Sequence, residues 1–245
     1  MGDRLSLDQN DVVCCPPPLF HCFGLVMGFL GAYTHGSKIV FPSQTFEADA
    51  VLDAVETERC TAILGVPTMF VAELEAMSKR RRKLDSLKKA LASGSLVLPA
   101  VMRMMEQDMN IKDVIVAYGM TETSPVTFAT NLDDPIDRRL NTVGTVFPHT
   151  GAKIVGPDGE IVPRGIAGEI CTSGFALQKG YLNNESKTRE AMRPDTDGVL
   201  WMYTGDEGVI DNEGYCRITG RIKDMIIRGT VFGNVWSKTE LTQYC

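Results

Sequence analysis

The sequence predicts an α/β protein in which a βαβ parallel-sheet half is followed by a mainly antiparallel β sheet or barrel half. Helical and strand patterns alternate from Lys38 to Gly119, which is typical of a parallel sheet covered by helices. After Asn141 the pattern changes to short strands separated by glycine turns, which is typical of antiparallel pairing. With 245 residues and 44% hydrophobic composition, the chain can bury a substantial core.

The elements of the first half follow from periodicity. The runs "KIVFP" and "CTAILGVP" are short and apolar, and they predict strands. Between them, "EADAVLDAVETER" places Val51, Leu52 and Val55 on one helical face and charges on the other. The run "DVIVAYG" is rich in β-branched residues and closed by glycine, so it predicts a buried strand.

Two further segments predict helices that pack in the core. In "PAVMRMMEQDMN", Met102, Met105 and Met109 recur at helical spacing, which favours core packing over a ligand set. The run "LVMGFLGAY" is shorter than the roughly 20 apolar residues that span a bilayer. We therefore predict a core helix there and no transmembrane segment.

The second half predicts hairpins. "AKIVGPDGEIV" contains a Pro-Asp-Gly turn, "AGEICTSG" is a strand, and "GVIDNEGYCRITGR" turns at Asn212 to Gly214. We place the domain boundary near Asn141. The predicted organisation is an α/β subdomain over 1–140, a β-rich subdomain over 141–229 and a divergent tail over 230–245.

Charge and cysteine content exclude some classes of protein. A net charge of -6 argues against nucleic-acid binding, because phosphate neutralisation needs a basic face. The basic run "KRRRK" at Lys79 to Lys83 is an anion-binding or targeting patch or, as its flanking helical pattern favours, a solvated helix end or loop. Seven cysteines without a CxxC pair suggest neither a disulfide framework nor a zinc site, so we expect reduced thiols in an intracellular compartment.

The loop that follows the "DVIVAYG" strand carries candidate chemistry. Ligands of α/β sheets bind at the carboxyl ends of strands. There, Thr121, Thr123 and Ser124 are potential hydrogen-bond donors to phosphate, and the Glu122 carboxylate is a potential ligand for Mg²⁺. Taken alone, such a cluster is also ordinary turn chemistry.

The loop is one of six motifs that occur along the chain in this order: "PLFHCFG", "LASGS", "YGMTETSP", "GEICTSG…KGYLNN", "YTGD" and "GRIKDMIIRG". From about Asp11 to Gly229, the chain thereby resembles the AMP-forming acyl-CoA synthetase family, most closely its mitochondrial medium-chain enzymes. The resemblance implies that the chain is part of the large domain of an acyl-adenylate-forming enzyme. It also implies a mitochondrial location, although "MGDRLSLDQN" lacks the features of a transit peptide and predicts the cytosol.

The resemblance implies a reaction and its cofactors. A fatty carboxylate attacks the α-phosphate of ATP, pyrophosphate leaves, and the thiol of coenzyme A then attacks the acyl-adenylate. Because charge develops on the phosphates, fixed donors and Mg²⁺ supply the main stabilisation. The catalytic residues are then Thr121, as a phosphate donor, and Glu122, as the Mg²⁺ ligand.

The resemblance also assigns the nucleotide-binding residues. Tyr118 lies flat against the adenine, beside Gly119, and Gly94 and Ser95 form small walls at its edge. The alternative for Tyr118 is a half-buried strand residue.

In "YTGD" and "GRIKD", the resemblance makes Asp206 the acceptor of the ribose hydroxyls and Arg221 a donor to ribose or phosphate. The alternatives are a turn-forming aspartate and a surface ion pair. The "PLFHCFG" motif borders the acyl tunnel in the family, so His21, Phe20 and Phe23 are acyl-binding candidates. A packed histidine that satisfies a backbone carbonyl is the alternative for His21.

At both ends the chain departs from the family. The glycine-rich phosphate loop expected before "PLFHCFG" has no counterpart after Met1, and "GRIKDMIIRG" runs into "TVFGNVWSKTELTQYC" in place of the small C-terminal domain. That domain carries the adenylation lysine, which Lys238 is not expected to replace, and rotates about a hinge at Asp224. We therefore expect a truncated ligase with impaired turnover, whose uncovered apolar face invites a partner such as the full-length ligase.

Overall fold

The computed structural model describes residues 1–80, 82–95 and 97–222. The chain divides into two units, each described by itself. The first unit comprises Met1–Pro148 together with Ala176–Gln178, and the second comprises His149–Phe175 together with the residues from Lys179 onward. The first unit thus continues past Asn141, where the glycine-turn pattern places the boundary.

A seven-stranded sheet forms the centre of the first unit. Its strands are β1 (Val12–Cys14), β2 (Lys38–Val40), β3 (Ala62–Gly65), β4 (Lys89–Ser93), β5 (Asp113–Tyr118), β6 (Phe128–Ala129) and β7 (Thr145–Val146). The order is β2-β1-β3-β4-β5-β6-β7. The first five strands are parallel, and β6 and β7 join antiparallel. The predicted parallel-sheet half is confirmed.

Helices connect these strands: α1 (Gly31–Thr34), α2 (Ala48–Glu58), α3 (Pro67–Lys79), α4 (Pro99–Met109) and α5 (Ile136–Asn141). Proline opens both α3 and α4, where its missing N–H costs no helical hydrogen bond. Arg59 and Asn110 adopt the left-handed conformation that ends α2 and α4.

Hydrophobic clusters cover both faces of this sheet. Alternate residues of β5 divide between them, with Val114 and Val116 in one cluster and Ile115 and Ala117 in the other. This two-sided burial explains why the strands appear in the sequence as continuous apolar runs. The first cluster also contains the buried side chains of Val51, Leu52, Val55, Met102, Met105 and Met109, which confirms the predicted core faces of α2 and α4.

The predicted core helix in "LVMGFLGAY" is wrong in part. A segment with π-helical hydrogen bonding, Phe23–Leu30, leads directly into α1. It buries Phe23 and Met27, but Leu25, Leu30 and Tyr33 of the continuous helix are exposed, because only one of its faces packs on the sheet. Within the described ranges, no helix is long and apolar enough to cross a membrane.

The basic run "KRRRK" is the predicted solvated helix end and loop at Lys79, Arg80 and Lys83, and differs from that prediction at Arg82. Lys79 ends α3 and is exposed, but Arg82 is buried and forms ion pairs with Asp49 and Asp53 of α2. The arginine stem packs while its charge meets two carboxylates, which is how a guanidinium can be buried. A basic run read along the chain does not show carboxylates that come from another helix.

An antiparallel sheet forms the second unit, which confirms the predicted second half. Its strands are β8 (Thr150–Val155), β9 (Gly168–Gly174), β10 (Met192–Pro194), β11 (Leu200–Ile210) and β12 (Cys216–Arg221). Their order is β10-β11-β9-β8, and β12 pairs with β11. The helix α6 (Glu185–Ala191) begins after Asn184, whose side-chain oxygen accepts a hydrogen bond from the Lys187 N–H.

Both predicted hairpins turn where the sequence places them. The turn at Asn212 to Gly214 is confirmed, since it joins β11 to β12 and the Asp211 N–H donates to the Tyr215 carbonyl. After the Pro-Asp-Gly turn the chain returns along β8, because the Gly156 N–H donates to the Glu160 carbonyl and Val155 forms an antiparallel bridge with Ile161. This second arm is short, and β8 pairs along its length with the more distant β9.

Candidate functional site

Two of the predicted nucleotide-binding motifs lie at the same edge of the first sheet. Strands β4 and β5 are parallel and pair Ser93 with Ala117 at their carboxyl ends. The Ser93 hydroxyl also donates to the Ala117 carbonyl at 2.9 Å. This bond fixes the exit of Gly94 and Ser95 from β4 relative to the exit of β5. The sequence could not show this adjacency, because the two motifs are separated by α4.

Gly119 allows the chain to turn sharply after β5. A Cβ atom at this position would lie 1.8 Å from the carbonyl oxygen of Pro125, so no side chain fits. The Thr127 N–H donates to the Tyr118 carbonyl at 2.8 Å and returns the chain alongside β5. The loop between Gly119 and Pro125 is therefore held closely against the strand end.

The hydroxyls of this loop have different environments. Thr123 is buried, and its hydroxyl donates to the Met120 carbonyl at 2.9 Å and accepts from the Met120 N–H at 3.1 Å. The prediction that Thr123 donates to phosphate is therefore wrong, because both functions of its hydroxyl hold the loop. Thr121 and Ser124 are exposed. These two are the hydroxyls of the loop available to a ligand.

Glu122 stands between these hydroxyls and is half-buried. Its backbone carbonyl accepts a hydrogen bond of 2.9 Å from the Gln178 N–H, so the short segment Ala176–Gln178 is tied to the loop. Across the described stretches, no group of three or more histidine, cysteine or acidic side chains is arranged to hold a metal ion. A single carboxylate fits Mg²⁺, which is typically held by one or two carboxylates plus substrate phosphates and water.

Tyr118, the last residue of β5, is half-buried. Its ring lies 6.2 Å from the Phe128 ring, with the two planes inclined at 49°. Phe128 is buried on β6 and supports one side of the tyrosine. A partly exposed aromatic ring backed by a buried one suits stacking of a planar base.

The three acyl-binding candidates have different surroundings. Phe20 is 94% exposed, whereas Phe23 is 3% exposed and belongs to the core under the helix. His21 is half-buried, and its Nδ1 accepts the Phe23 N–H at 3.0 Å. This backbone bond comes from an N–H, whereas the alternative for His21 was a bond to a backbone carbonyl. The acyl-binding roles of all three stay predictions.

The structure places Cys22, which the sequence reasoning did not single out, beside Thr121. The Cys22 Sγ lies 3.6 Å from the Thr121 Oγ1. The two residues are 99 positions apart. In the sequence, both residues belong to motifs of the same family. Membership in those motifs does not predict which of their side chains are in contact.

In the second unit, Asp206 lies where the pairing of β11 is irregular. The register of β11 with β9 shifts between Tyr203 and Glu207, and Gly205 has a φ of 74°. The Gly205 N–H donates to Glu169 Oε1 at 2.9 Å, which holds the distorted segment. A bulge of this kind re-aims a side chain relative to a regular strand.

Asp206 and Arg221 are partners. Arg221 Nε donates to Asp206 Oδ1 at 2.7 Å, and Asp206 is buried. The two residues also face each other in the pairing of β11 with β12. Arg221 is therefore an ion-pair partner, but of a buried carboxylate and not at the surface as the alternative had it. Its role toward a nucleotide stays a prediction. The predicted hinge, Asp224, lies outside the described residues.

Comparisons with known proteins agree with this fold and these motifs. The family described as AMP-binding enzyme matches residues 1–182. An acyl-CoA ligase, sidI, from Aspergillus fumigatus is 51% identical over 94% of this chain and 39% of its own length. The medium-chain acyl-CoA ligase ACSF2, mitochondrial, from Danio rerio is 42% identical over 90% of this chain and 36% of its own length.

A solved structure provides a third comparison. O-succinylbenzoate coenzyme A synthetase from Bacillus subtilis, in complex with ATP and a magnesium ion, has a TM-score of 0.76 and 28% identity. The match covers 93% of this chain and 45% of that one. This chain belongs to the AMP-binding enzyme family, that of the acyl-adenylate-forming enzymes. It spans about two fifths of the length of the curated relatives it matches.

Proposed function

We propose that this chain contributes to the ATP-dependent activation of a carboxylic acid as an acyl-adenylate, followed by transfer to coenzyme A. The observation that carries the proposal is the loop after β5. An exposed Thr121 hydroxyl and the Glu122 carboxylate follow a glycine that has no room for a side chain, at the carboxyl edge of a parallel sheet. This edge is where α/β proteins bind their ligands.

In the proposed reaction, the protein contributes fixed donors and a metal ligand. The Thr121 hydroxyl donates to a phosphate oxygen, where charge develops as pyrophosphate leaves. Glu122 would hold Mg²⁺, which would supply neutralisation of the phosphate charge. Tyr118 packs against the adenine, with Gly94 and Ser95 at its edge.

A buried carboxylate, Asp206, is proposed for the ribose. Asp206 is buried and oriented by Arg221, so its geometry is set before a ligand binds. Vicinal hydroxyls are good partners for such a carboxylate, because hydrogen bonds to an ionised acceptor are stronger than neutral ones. We assign the ribose hydroxyls to Asp206 and a supporting contact to Arg221.

We propose a medium-chain fatty acid as the substrate and a mitochondrial location. The name of the Danio rerio relative, a mitochondrial medium-chain acyl-CoA ligase, supports both, while the Aspergillus fumigatus relative is named as an acyl-CoA ligase without a chain length. Pyrophosphate exchange with acids of increasing chain length tests the substrate. Fractionation of cells that express the chain tests the compartment.

Calorimetric titration of the full chain with a non-hydrolysable acyl-adenylate analogue tests the nucleotide half of the proposal. We expect saturable binding that Asp206→Ala abolishes and that Glu122→Ala changes only when Mg²⁺ is present. The matched controls are Asp197→Ala and Glu75→Ala, which remove exposed carboxylates from the same two units. A well-folded chain without binding would contradict the proposal.

Acid-dependent exchange of pyrophosphate into ATP tests catalysis itself. We expect exchange above the level of the Glu122→Ala variant. Binding without exchange would support a second candidate, a non-catalytic chain that binds nucleotide and associates with a full-length ligase. The exposed Leu25, Leu30 and Tyr33 on one helix face favour that candidate, because contiguous apolar surface marks interaction sites. Co-purification with a full-length acyl-CoA ligase, lost in Leu30→Asp, tests it.

A further inference from the structure

The start of the first helix and the loop after β5 meet through side chains. Cys22 precedes the helical segment Phe23–Leu30, and its Sγ lies 3.6 Å from the Thr121 Oγ1. Of the described cysteines, Cys22 alone is half-buried, and the other five are buried. Its thiol therefore differs from the core thiols in having a polar partner in the candidate site.

The hydrogen-bond roles around Cys22 follow from His21. The Phe23 N–H donates to His21 Nδ1 at 3.0 Å, so this nitrogen is an acceptor and the neutral ring carries its proton on Nε2. The Cys22 Sγ lies 3.8 Å from the same Nδ1, farther than from Thr121. Because Nδ1 already has a donor, the thiol proton is better directed to the Thr121 oxygen.

A hydroxyl group has one proton to donate and two lone pairs to accept with. If the Thr121 oxygen accepts the Cys22 S–H, the Thr121 proton is turned away from the sulfur and toward the open side of the loop. That orientation is the one in which Thr121 donates to a phosphate oxygen. Without this contact, the threonine hydroxyl would rotate freely, and ordering it on binding would cost conformational entropy.

The geometry points to Cys22 as a positioning residue, whose thiol orients the Thr121 hydroxyl for the phosphates of a bound nucleotide. The inference rests on the proposed function, in which Thr121 is a phosphate donor. Cys22 acts through Thr121 and not on the nucleoside. Its removal should therefore weaken ligands that carry phosphate and leave the others unchanged.

A double-mutant cycle on the full chain tests this inference. The Kd values of Mg²⁺-ATP and of adenosine are measured by calorimetry for the wild type, Cys22→Ala, Thr121→Val and the double variant. We expect Cys22→Ala to weaken ATP about fivefold and Thr121→Val about tenfold, the range of single hydrogen bonds. The double variant should match Thr121→Val alone, and adenosine affinity should be unchanged throughout.

The outcomes separate the inference from the proposed function. Additive losses in the double variant, an unchanged ATP affinity in Cys22→Ala, or equal losses for ATP and adenosine would overturn the inference alone. A wild-type chain that does not bind ATP would overturn both. Cys15→Ala is the matched control, because the Cys15 thiol contacts the Pro17 and Gly24 carbonyls and does not contact Thr121.

A measurement on the wild type covers the case in which Cys22→Ala does not fold. Alkylation of Cys22 by iodoacetamide is followed by mass spectrometry of the peptide that contains it. Burial raises the pKa of the neighbouring Cys15 thiol to about 12, so Cys15 reacts slowly and serves as an internal reference. We expect ATP to slow the alkylation of Cys22 and adenosine not to slow it. Equal protection by both ligands would contradict the inference.

Discussion

The polar side chains at the two edges of the parallel sheet differ in burial and in hydrogen bonding. At the amino edge, Asp11 is buried and accepts hydrogen bonds from Thr61 at 2.6 Å and from Lys89 at 2.8 Å. At the carboxyl edge, Thr121 and Ser124 are exposed. The polar groups of the first edge are partnered by each other. The second edge also has internally bonded hydroxyls, those of Ser93 and Thr123, but it differs in offering further hydroxyls to solvent.

The difference separates residues that stabilise from residues that bind. A buried carboxylate that is paired and hydrogen-bonded contributes to folding, and removing its partners is costly. An exposed hydroxyl contributes little to folding and is available for a ligand. Substitutions at the amino edge should therefore change stability, and those at the carboxyl edge should change nucleotide binding.

The largest expected effect is at the amino edge. Asp11→Ala leaves the partly buried Lys89 ammonium without its carboxylate, so we expect the free energy of unfolding to fall by about 3 kcal/mol. Urea denaturation measures it. Asp8→Ala, which removes an exposed carboxylate three residues earlier, is the control and should change little. If Asp11→Ala lowered the free energy of unfolding as little as the control does, the amino edge would not be the stabilising edge.

The ion pair of Asp11 and Lys89 predicts that the free energy of unfolding depends on pH. Burial alone would raise the pKa of Asp11, but hydrogen bonds from Lys89, Thr61 and the Asp8 N–H outweigh burial, so its pKa is lowered below the ordinary 3.8. The stabilisation is present above pH 3.8 and is lost as the pH falls through the lower value of the folded state. The difference between wild type and Asp11→Ala should therefore narrow in acid.

The next largest loss of stability is expected at the carboxyl edge. There the close packing of the backbone, and not the pairing of polar groups, holds the loop in place. Gly119→Ala places a Cβ against the Pro125 carbonyl, so we expect a loss of about 2 kcal/mol and displacement of the loop. Gly31→Ala is the control, since Gly31 has helical dihedrals and only a 3.7 Å contact at its Cβ position. The midpoint of thermal unfolding and the affinity for ATP should both change in Gly119→Ala. Neither quantity should change in the control.

A buried carboxyl on α3, Glu73, tests the same comparison, because in the part of the chain that the structure describes it is buried without the partners that Asp11 has. Glu73 on α3 is fully buried, and neither of its oxygens has a hydrogen-bond partner within the described ranges. Burial raises the pKa of Glu73 well above its ordinary 4.5. We expect Glu73→Met to stabilise the chain by about 2 kcal/mol at neutral pH, because it removes an unsatisfied buried group.

The sign of the pH dependence at Glu73 is opposite to that at Asp11. Below pH 4.5 the carboxyl is protonated in both the folded and unfolded states. As the pH rises above that value, ionisation favours the unfolded chain until the folded-state pKa is passed. The advantage of Glu73→Met should therefore grow with pH, while Glu75→Met, at an exposed position on the same helix, should show no such trend. A constant advantage would contradict the raised pKa.

The fold was more predictable from sequence than the site. Continuous apolar runs and glycine turns identified the parallel and antiparallel halves, because a strand that is buried on both faces is apolar along its whole length. The buried Arg82 and the internally bonded Thr123 were missed, since their partners depend on side-chain directions that spacing does not encode. The contact of Cys22 with Thr121 was missed for the same reason.

The smallest expected effect on stability is the most informative about the carboxyl edge. Thr121→Val keeps the branched shape and removes an exposed hydroxyl, so we expect the free energy of unfolding to change by less than about 0.5 kcal/mol. Urea denaturation run beside ATP titration should show a nearly unchanged midpoint and a clear loss of affinity. If Thr121→Val instead destabilised the chain as much as Asp11→Ala does, the hydroxyl would be a structural group. The carboxyl edge would then be partnered internally like the amino edge.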